Sequence, residues 1–258
     1  MELDWLYVLA IVGGFFAGVV NTLAGSGSLI TLPIFMVLGL DANVANGTNR
    51  VGLLAQSFTS TLTFWRKGML NYKGMHWLII PTMIGGFVGS EIAARADASV
   101  MKQVIAYIMI LMLFVILLNP KKWLDTPVEI EKKMNTVFFI LMVGLGSYGG
   151  FIQVGTGIFL LISLVMAMNY AVVKANAIKN LIILCFNIPA ILNFIRHDQV
   201  DWKLGLLVTI GQVGGAFVAA KFASESKNAA VWIKRLLVVV IVLASLKLLG
   251  VLDFFSSI

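Results

Sequence analysis

The sequence predicts an all-α polytopic membrane protein built from two related halves, and three observations carry this prediction. Of the 258 residues, 60% are apolar and only 12% are Asp, Glu, Lys or Arg. A soluble domain carries about 25% charged residues, so this chain lacks the charge to cover a water-facing surface, and its mean hydropathy is +0.97. The apolar residues also form long runs, and a pattern of polar residues recurs in both halves.

The apolar runs account for the predicted segments. Most are long enough for the roughly 20 residues that a membrane helix requires. The second run of each half is about a dozen residues long, too short to span alone, and this indicates a half-length or re-entrant helix. We therefore expect about 8–10 membrane segments. The runs are Trp5–Leu23, Leu29–Leu40, Val44–Trp65, Trp77–Ala94, Val100–Leu118, Thr136–Val154, Ile158–Met168, Val172–Ile195, Trp202–Ala223 and Ala230–Leu249.

The two halves align without gaps. An offset of 130 residues pairs polar and glycine positions over about a hundred residues, a register that chance apolar similarity explains poorly. The organisation is then a first membrane repeat over residues 1–118, a charged linker over 119–135 and a second membrane repeat over 136–258. The pairs include Gly25 with Gly155, Gly27 with Gly157, Asn46 with Asn176, Arg66 with Arg196, and Lys73 with Lys203.

The distribution of charge predicts that the repeats are inverted. In the first half Arg66, Lys67 and Lys73 crowd the loop after the third run, whereas in the second half the basic cluster comes one loop later. By the positive-inside rule, equivalent loops then lie on opposite sides of the membrane. The linker is expected in the cytoplasm and both chain ends outside. The first residues lack a basic segment, so the first run is expected to be retained rather than cleaved.

Each half carries a glycine-rich break before its short run. Glycines permit a tight turn there, and the helix that follows begins with free N–H groups and the positive end of its dipole. Two such starts facing each other would form an anion site near the midplane, although glycines that only allow close helix packing are the alternative. The predicted ligands are Gly25, Ser26, Gly27 and Ser28 with Gly155, Thr156 and Gly157.

A polar stripe follows helical spacing along the third run of each half. It holds one cation per half, Arg50 and Lys179, and a charged side chain within a membrane segment is a candidate functional residue by default. The alternative is that both cations extend to the lipid headgroups. The amides of the stripe, predicted to orient a bound anion, are Asn46, Asn49, Asn176 and Asn180.

The sequence lacks the residues that several classes of function require. Cys185 is the lone cysteine and the two histidines, His76 and His197, are far apart, so neither a disulfide nor a metal site is expected. No apolar run contains a central carboxylate, and no nucleophile triad or phosphate-binding loop is present. We expect no catalytic residue and no cofactor. The net charge of +7 is expected to reflect basic cytoplasmic loops rather than nucleic-acid binding.

Small residues four apart, such as Gly14 with Gly18 and Gly85 with Gly89, permit close helix crossings. The spacing leaves open whether these crossings lie within the chain or between the subunits of a homodimer.

The segment from Gly18 to Ser28, followed by Pro33 and the run from Ala45 to Arg50, resembles the TauE/SafE family of sulfite and organosulfonate exporters. The resemblance covers essentially the whole chain, although Ala177-Ile178-Lys179 stands where a Gly-Thr-like pair would repeat. It implies a secondary transporter in a bacterial inner membrane that exports sulfite, sulfoacetate, sulfolactate or a related anion. The alternatives are a transporter of a carboxylate or neutral sulfur compound, an anion channel, and a membrane scaffold without transport.

Overall fold

The computed structural model describes residues 2–70, 74–117 and 135–226, with positions 228, 231, 232 and 235 beyond them. These residues form nine α-helices and no strand, which confirms the predicted all-α class. The linker, apart from Asn135, and nearly all of the last apolar run, Ala230–Leu249, lie outside the described residues. The helices are α1 Glu2–Leu23, α2 Ser28–Val37, α3 Ala42–Arg66, α4 His76–Arg95, α5 Ala98–Leu117, α6 Thr136–Phe151, α7 Thr156–Met166, α8 Val172–Arg196 and α9 Trp202–Glu225.

Both predicted half-length helices are present as separate short helices. Helix α2 has 10 residues and α7 has 11, and each follows a break in which the chain leaves the preceding helix. Glycine allows these turns, because Gly25 and Gly155 have φ angles of +81° and +71°, a region that side chains with a Cβ disfavour. The second break begins at Ile152, whose backbone is already extended, so Gln153 also belongs to it.

The two halves exchange their helices. Helix α1 packs on α9, and its equivalent α6 packs on α4, the equivalent of α9. Glycines make both crossings close: a Cβ on Gly18 would lie 2.9 Å from the Cα of Gln212, and one on Gly150 would lie 2.7 Å from the Cα of Gly86. The predicted small-residue crossings therefore lie within the chain, and a homodimer stays a prediction.

Helices α3 and α8 cross at the centre of the molecule and run in opposite directions. Arg50, early in α3, contacts Asn187 in the second half of α8, whereas Ser60, late in α3, contacts Asn180 in the first half of α8. Helices α4 and α9 flank this pair, α4 against α8 and α9 against α3. The polar stripes of the two long helices consequently face each other in the interior.

The outer surface of the bundle is apolar. Three of the described helices, His76–Arg95, Val172–Arg196 and Trp202–Glu225, are long and apolar enough to cross a membrane by length and composition. The exposed pairs Phe87 with Val88 and Phe217 with Val218 occupy equivalent positions of the repeat on α4 and α9. Large apolar side chains that are exposed on such helices are suited to contact with lipid rather than water.

Candidate anion-binding site

The two breaks meet in the interior. The N–H of Gly157 donates a hydrogen bond to the carbonyl oxygen of Gly25 at 3.1 Å, so the second break contacts the first through backbone alone. A Cβ on Gly25 would overlap the backbone of Gly157, and therefore only glycine fits there. Because each break interrupts a helix, α1 and α6 both end inside the protein, where their last carbonyl groups need partners.

Arg50 provides those partners for α6. Its Nη1 donates to the carbonyl oxygen of Gly149 at 2.8 Å and its Nη2 to that of Gly150 at 2.8 Å. Nη1 also lies 2.9 Å from Asn187 Oδ1 and 3.2 Å from Gln153 Oε1. The guanidinium is fully buried, so it does not extend to the headgroups. A positive charge at the C-terminal end of a helix is also favoured by the helix dipole.

Lys179 does the same for α1 from the opposite half. Its Nζ donates to the carbonyl oxygens of Asn21 at 3.1 Å and Thr22 at 2.9 Å, and to Asn176 Oδ1 at 2.7 Å. Lys179 is fully buried as well. Each half thus sends one cation from its long helix into the helix end at the break of the other half. The exchange is reciprocal although Arg50 and Lys179 do not occupy equivalent positions of the repeat.

The two buried charges have no acidic partner among the described residues. The described buried polar side chains include Arg50 and Lys179 but no Asp or Glu. Removing an ion from water costs several kcal/mol even after relaxation, and carbonyl and amide oxygens repay this only in part. Both cations therefore lie where water is excluded and no described carboxylate neutralises them, an arrangement that would suit an anion. No group of three His, Cys, Asp or Glu suited to a metal ion is present in the described part of the chain.

Three amides at the breaks, those of Asn21, Gln153 and Asn176, have N–H₂ groups without an acceptor among the described residues. Asn21 Oδ1 accepts from the N–H of Gly27 at 2.9 Å, Asn176 Oδ1 accepts from Lys179, and Gln153 Oε1 accepts from Arg50. Since each oxygen is engaged, the orientation of each amide is fixed. The buried donors at the breaks that lack an acceptor among the described residues are Asn21 Nδ2, Thr22 Oγ1, Ser26 Oγ, Arg50 Nε, Gln153 Nε2 and Asn176 Nδ2.

The remaining predicted ligands lie around these donors and are held by protein contacts. Asn49 joins α3 to the start of α2, with Nδ2 3.0 Å from Ser28 Oγ and Oδ1 accepting from Thr31. Asn46 donates to the carbonyl oxygen of Phe151, and Asn180 donates to that of Thr22.

Backbone N–H groups of the breaks are also used within the protein. Those of Gly27 and Gly157 bond to Asn21 and Gly25, and that of Thr156 bonds to the carbonyl oxygen of Gln153. The side chains, rather than these three N–H groups, are left to meet a ligand.

Sequence reasoning missed Asn21, Thr22 and Gln153 as parts of the site. Their signal was available, since each is a polar residue directly beside a glycine-rich break in an otherwise apolar run. Gln153 is the more informative because its equivalent in the first half is Leu23. At the second break the amide of Gln153 lies next to Arg50, whereas the equivalent position at the first break is apolar.

A polytopic helical membrane protein with an internal repeat, two buried helix breaks and buried cations without a buried carboxylate among the described residues has the architecture of a membrane transporter. The comparison with known proteins agrees: the family model described as "Sulfite exporter TauE/SafE" matches residues 10–248. The chain belongs to the TauE/SafE family of membrane transporters.

Relatives of the chain match it along nearly its whole length. A Sinorhizobium protein named "Probable membrane transporter protein ORF9" is 29% identical over 95% of this chain and 93% of its own. The Escherichia coli K12 protein YfcA, named a probable membrane transporter protein, is 27% identical over 90% of this chain and 86% of its own. A Haemophilus influenzae probable membrane transporter protein is 26% identical over 85% of both chains. No solved structure matches the chain.

Proposed function

We propose that this transporter exports a small sulfur oxyanion, sulfite or an organosulfonate such as sulfoacetate or sulfolactate, from the cytoplasm across the inner membrane. The anion would be held near the midplane between the two breaks. The observation that carries the proposal is the pair of fully buried cations, Arg50 and Lys179, without a buried carboxylate among the described residues. The description of the family supplies the sulfur chemistry, which the site alone does not select.

The unpaired groups at the breaks suit such a ligand. A sulfite or sulfonate group presents oxygens that only accept, and the buried groups without an acceptor there are N–H and O–H donors. Gln153 Nε2 and Arg50 Nε would bind at the second break, and Asn176 Nδ2 and Ser26 Oγ at the first. Charge-assisted hydrogen bonds of this kind are about twice as strong as neutral ones.

Export needs no dedicated coupling ion under this proposal. An inside-negative potential drives each negative charge outward with about 2.3 kcal/mol per 100 mV. That corresponds to a gradient of roughly fifty-fold per charge, because about 1.4 kcal/mol is a factor of ten. The absence of a carboxylate from the described buried polar residues agrees with an exporter that moves its substrate with the potential.

We further propose that the repeats are inverted, with the linker cytoplasmic and both chain ends outside. The opposite directions of α3 and α8, equivalent helices of the repeat, support this arrangement. The ion pair of Lys67 with Glu225, 2.7 Å between Nζ and Oε1, joins the C-terminal ends of α3 and α9. Arg66, Lys67 and Lys221 therefore belong to one face, and the positive-inside rule assigns a face with this basic excess to the cytoplasm.

The test is thermal stability of the purified protein with sulfite, sulfoacetate, methanesulfonate, taurine, sulfate, acetate and chloride. A ligand at a hundred times its dissociation constant stabilises the folded state by about 2.7 kcal/mol. We expect a shift with sulfite and sulfonates that Lys179→Gln weakens and the surface variant Lys221→Gln does not. Equal shifts with acetate would instead favour a carboxylate transporter. A flat panel together with no flux of these anions in vesicles would contradict the proposal.

A further inference from the structure

The stripe of α3 and its equivalent on α8 differ in chemistry on the C-terminal side of Arg50 and of its equivalent, Asn180. The repeat pairs Gln56 with Phe186, Ser57 with Asn187, Ser60 with Ala190 and Thr61 with Ile191. All eight side chains are buried. From Gln56 to Thr61 this face of α3 is polar, whereas from Phe186 to Ile191 the equivalent face of α8 is apolar except at Asn187. Farther along, both helices carry a buried phenylalanine, Phe64 and its equivalent Phe194. Since the two helices are antiparallel, these two routes lead to opposite faces of the molecule.

The hydroxyls of Ser57, Ser60 and Thr61 form one column, because positions i, i+3 and i+4 share a face of the helix. Ser57 Oγ and Thr61 Oγ1 are buried without a partner among the described residues. Ser60 Oγ lies 3.1 Å from Asn180 Oδ1, and Asn180 in turn donates to the carbonyl oxygen of Thr22 at the first break. At 1.5 Å per residue, the column reaches about 16 Å beyond Arg50, toward the face that carries Arg66 and Lys67.

An aromatic ring, that of Phe186, occupies the position on α8 that is equivalent to Gln56 on the α3 route. Phe186 is fully buried, and its ring fits only because Gly86 and Gly149 lack side chains: a Cβ on Gly149 would lie 2.8 Å from Phe186 Cζ. Phe194 is also fully buried, with its ring centroid 5.5 Å from Arg50 Cζ. Phe186 thus packs against Gly149, whose carbonyl Arg50 binds, and Phe194 contacts the guanidinium itself.

The amides on this second route are oriented against an anion. Asn193 donates to the carbonyl oxygen of Phe87 and to Ser90 Oγ, both at 2.9 Å, and Gln199 donates to the carbonyl oxygen of Ala94 at 2.8 Å. Their unpaired atoms are oxygens, Asn193 Oδ1 and Gln199 Oε1. An approaching anion would meet acceptors there, whereas the unpaired hydroxyls of Ser57 and Thr61 can donate.

We propose that the column of Ser57, Ser60 and Thr61 is the substrate's route from Arg50 to the basic face, and that Phe186 closes the site toward the opposite face. This inference rests on the proposed site at the breaks, but it does not depend on which anion is carried. It makes the two halves of the repeat unequal, one lining an entry route and the other a barrier. The apolar barrier would have to move for the anion to leave.

Cysteine accessibility tests the proposal. The background is Cys185→Ala, which removes the single cysteine. The probes are Thr61→Cys and Ser60→Cys, with Ile191→Cys and Ala190→Cys at the equivalent positions. The reagent is an impermeant methanethiosulfonate bearing a sulfonate, applied from each side of oriented vesicles. We expect Thr61→Cys and Ser60→Cys to react from the basic face at least tenfold faster than Ile191→Cys and Ala190→Cys react from the opposite face. Equal rates, or no reaction at Thr61→Cys, would overturn the proposal.

A second pair of variants covers the case in which the cysteine variants fail to fold. Thr61→Val keeps the shape of the side chain and removes its hydroxyl, and Ile191→Val is the matched change on the other route. We expect Thr61→Val to slow anion flux at least tenfold and Ile191→Val to leave it unchanged, whichever anion is transported. Equal flux in both variants would contradict the proposal that the column is the substrate's route. If sulfur anions do not bind in the thermal-stability panel, the flux of Thr61→Val can still be compared with that of Ile191→Val for another anion. The proposed substrate and the proposed route can therefore be disproved independently.

Discussion

The N–H of Gly157 bonds to the carbonyl oxygen of Gly25 at 3.1 Å, and this single backbone contact joins the two helix breaks. The two glycines belong to different halves and are not equivalent in the repeat, since Gly25 pairs with Gly155. Backbone polar groups that leave a helix inside a membrane protein must be satisfied by the protein, and this bond satisfies one such pair. The contact brings both half-length helices, and the cations at both helix ends, into one interior region.

Gly25→Ala is expected to destabilise the protein. The φ angle of +81° disfavours a Cβ, and the added methyl group would overlap the backbone of Gly157. Residues held in sparsely populated backbone regions cost about 1–3 kcal/mol, and the overlap adds to this. Gly144→Ala in α6 is the matched control, because a Cβ there meets nothing within 4 Å. Thermal unfolding should show a lower melting temperature for Gly25→Ala than for Gly144→Ala; equal values would contradict the contact.

The fold class and the breaks could be predicted from the sequence because their signals are local. The lengths of the runs before and after Gly25 and Gly155 indicate two half-length helices, and the structure has them at α2 and α7. The partners of Arg50 could not be predicted, because they are backbone carbonyls of Gly149 and Gly150, about a hundred residues away. A backbone carbonyl has no residue type, and sequence patterns therefore do not reveal it as a ligand.

The end of α6 is a second feature that the sequence pattern did not predict. The apolar run continues to Val154, but the helix ends at Phe151 because Ile152 is extended. Apolar composition does not distinguish a helical residue from a buried extended one, so the run overestimated the helix and concealed Gln153 within it. The reciprocal use of Arg50 and Lys179 follows from the exchange of helices between the halves, which becomes visible only in three dimensions.

Lys179→Gln is expected to reduce anion binding at least tenfold. The variant removes the charge and retains an N–H₂ group for the carbonyl oxygens of Asn21 and Thr22, which Lys179 binds. Hydrogen bonds to charged groups contribute about 1.5–3 kcal/mol, or one to two powers of ten in affinity. Titration calorimetry or a melt-shift titration would measure the change. Lys221→Gln, at an exposed position of α9, serves as the control; equal affinities in the two variants would exclude a role for the buried charge.

Arg50 is better tested by Arg50→Lys than by truncation. Alanine would remove the ligand group and also leave the carbonyls of Gly149 and Gly150 without their donor, at a cost of about 1–3 kcal/mol for each unsatisfied group. Lysine keeps the charge but loses the fork that spans both carbonyls and Asn187. We expect a folded protein with lower melting temperature and weaker anion binding. A variant with normal stability and normal flux would show that the fork is dispensable.

The proposed orientation predicts which side of the membrane each face occupies. In a Cys185→Ala background, Lys67→Cys and Lys221→Cys should react with an impermeant thiol reagent only from the cytoplasmic side, because Lys67 pairs with Glu225 on the same face as Lys221. Asp198→Cys, after the end of α8, should react only from outside. The ion pair is exposed and screened by solvent, so its loss has little effect on stability and these variants should fold. Labelling of Lys67→Cys from outside would reverse the orientation and, with it, the direction of transport.

Gln153→Glu separates an anion site from a purely structural cation. Gln153 Oε1 already lies 3.2 Å from Arg50 Nη1, and a carboxylate of nearly the same shape would there neutralise the guanidinium. If the cation served only to hold the end of α6, the added carboxylate would compensate a buried charge and leave function intact. If the site binds an anion, the carboxylate occupies the place of the ligand, and opposing like charges cost several kcal/mol. We expect a melting temperature at or above that of the unmodified protein, with flux and binding reduced more than a hundredfold.

Gln153→Leu, which copies Leu23 of the first half, removes only a donor and should reduce binding about tenfold, the equivalent of one hydrogen bond. Flux in Gln153→Glu equal to that of Gln153→Leu would mean that no anion approaches Arg50, because only an anionic ligand distinguishes the two variants by charge.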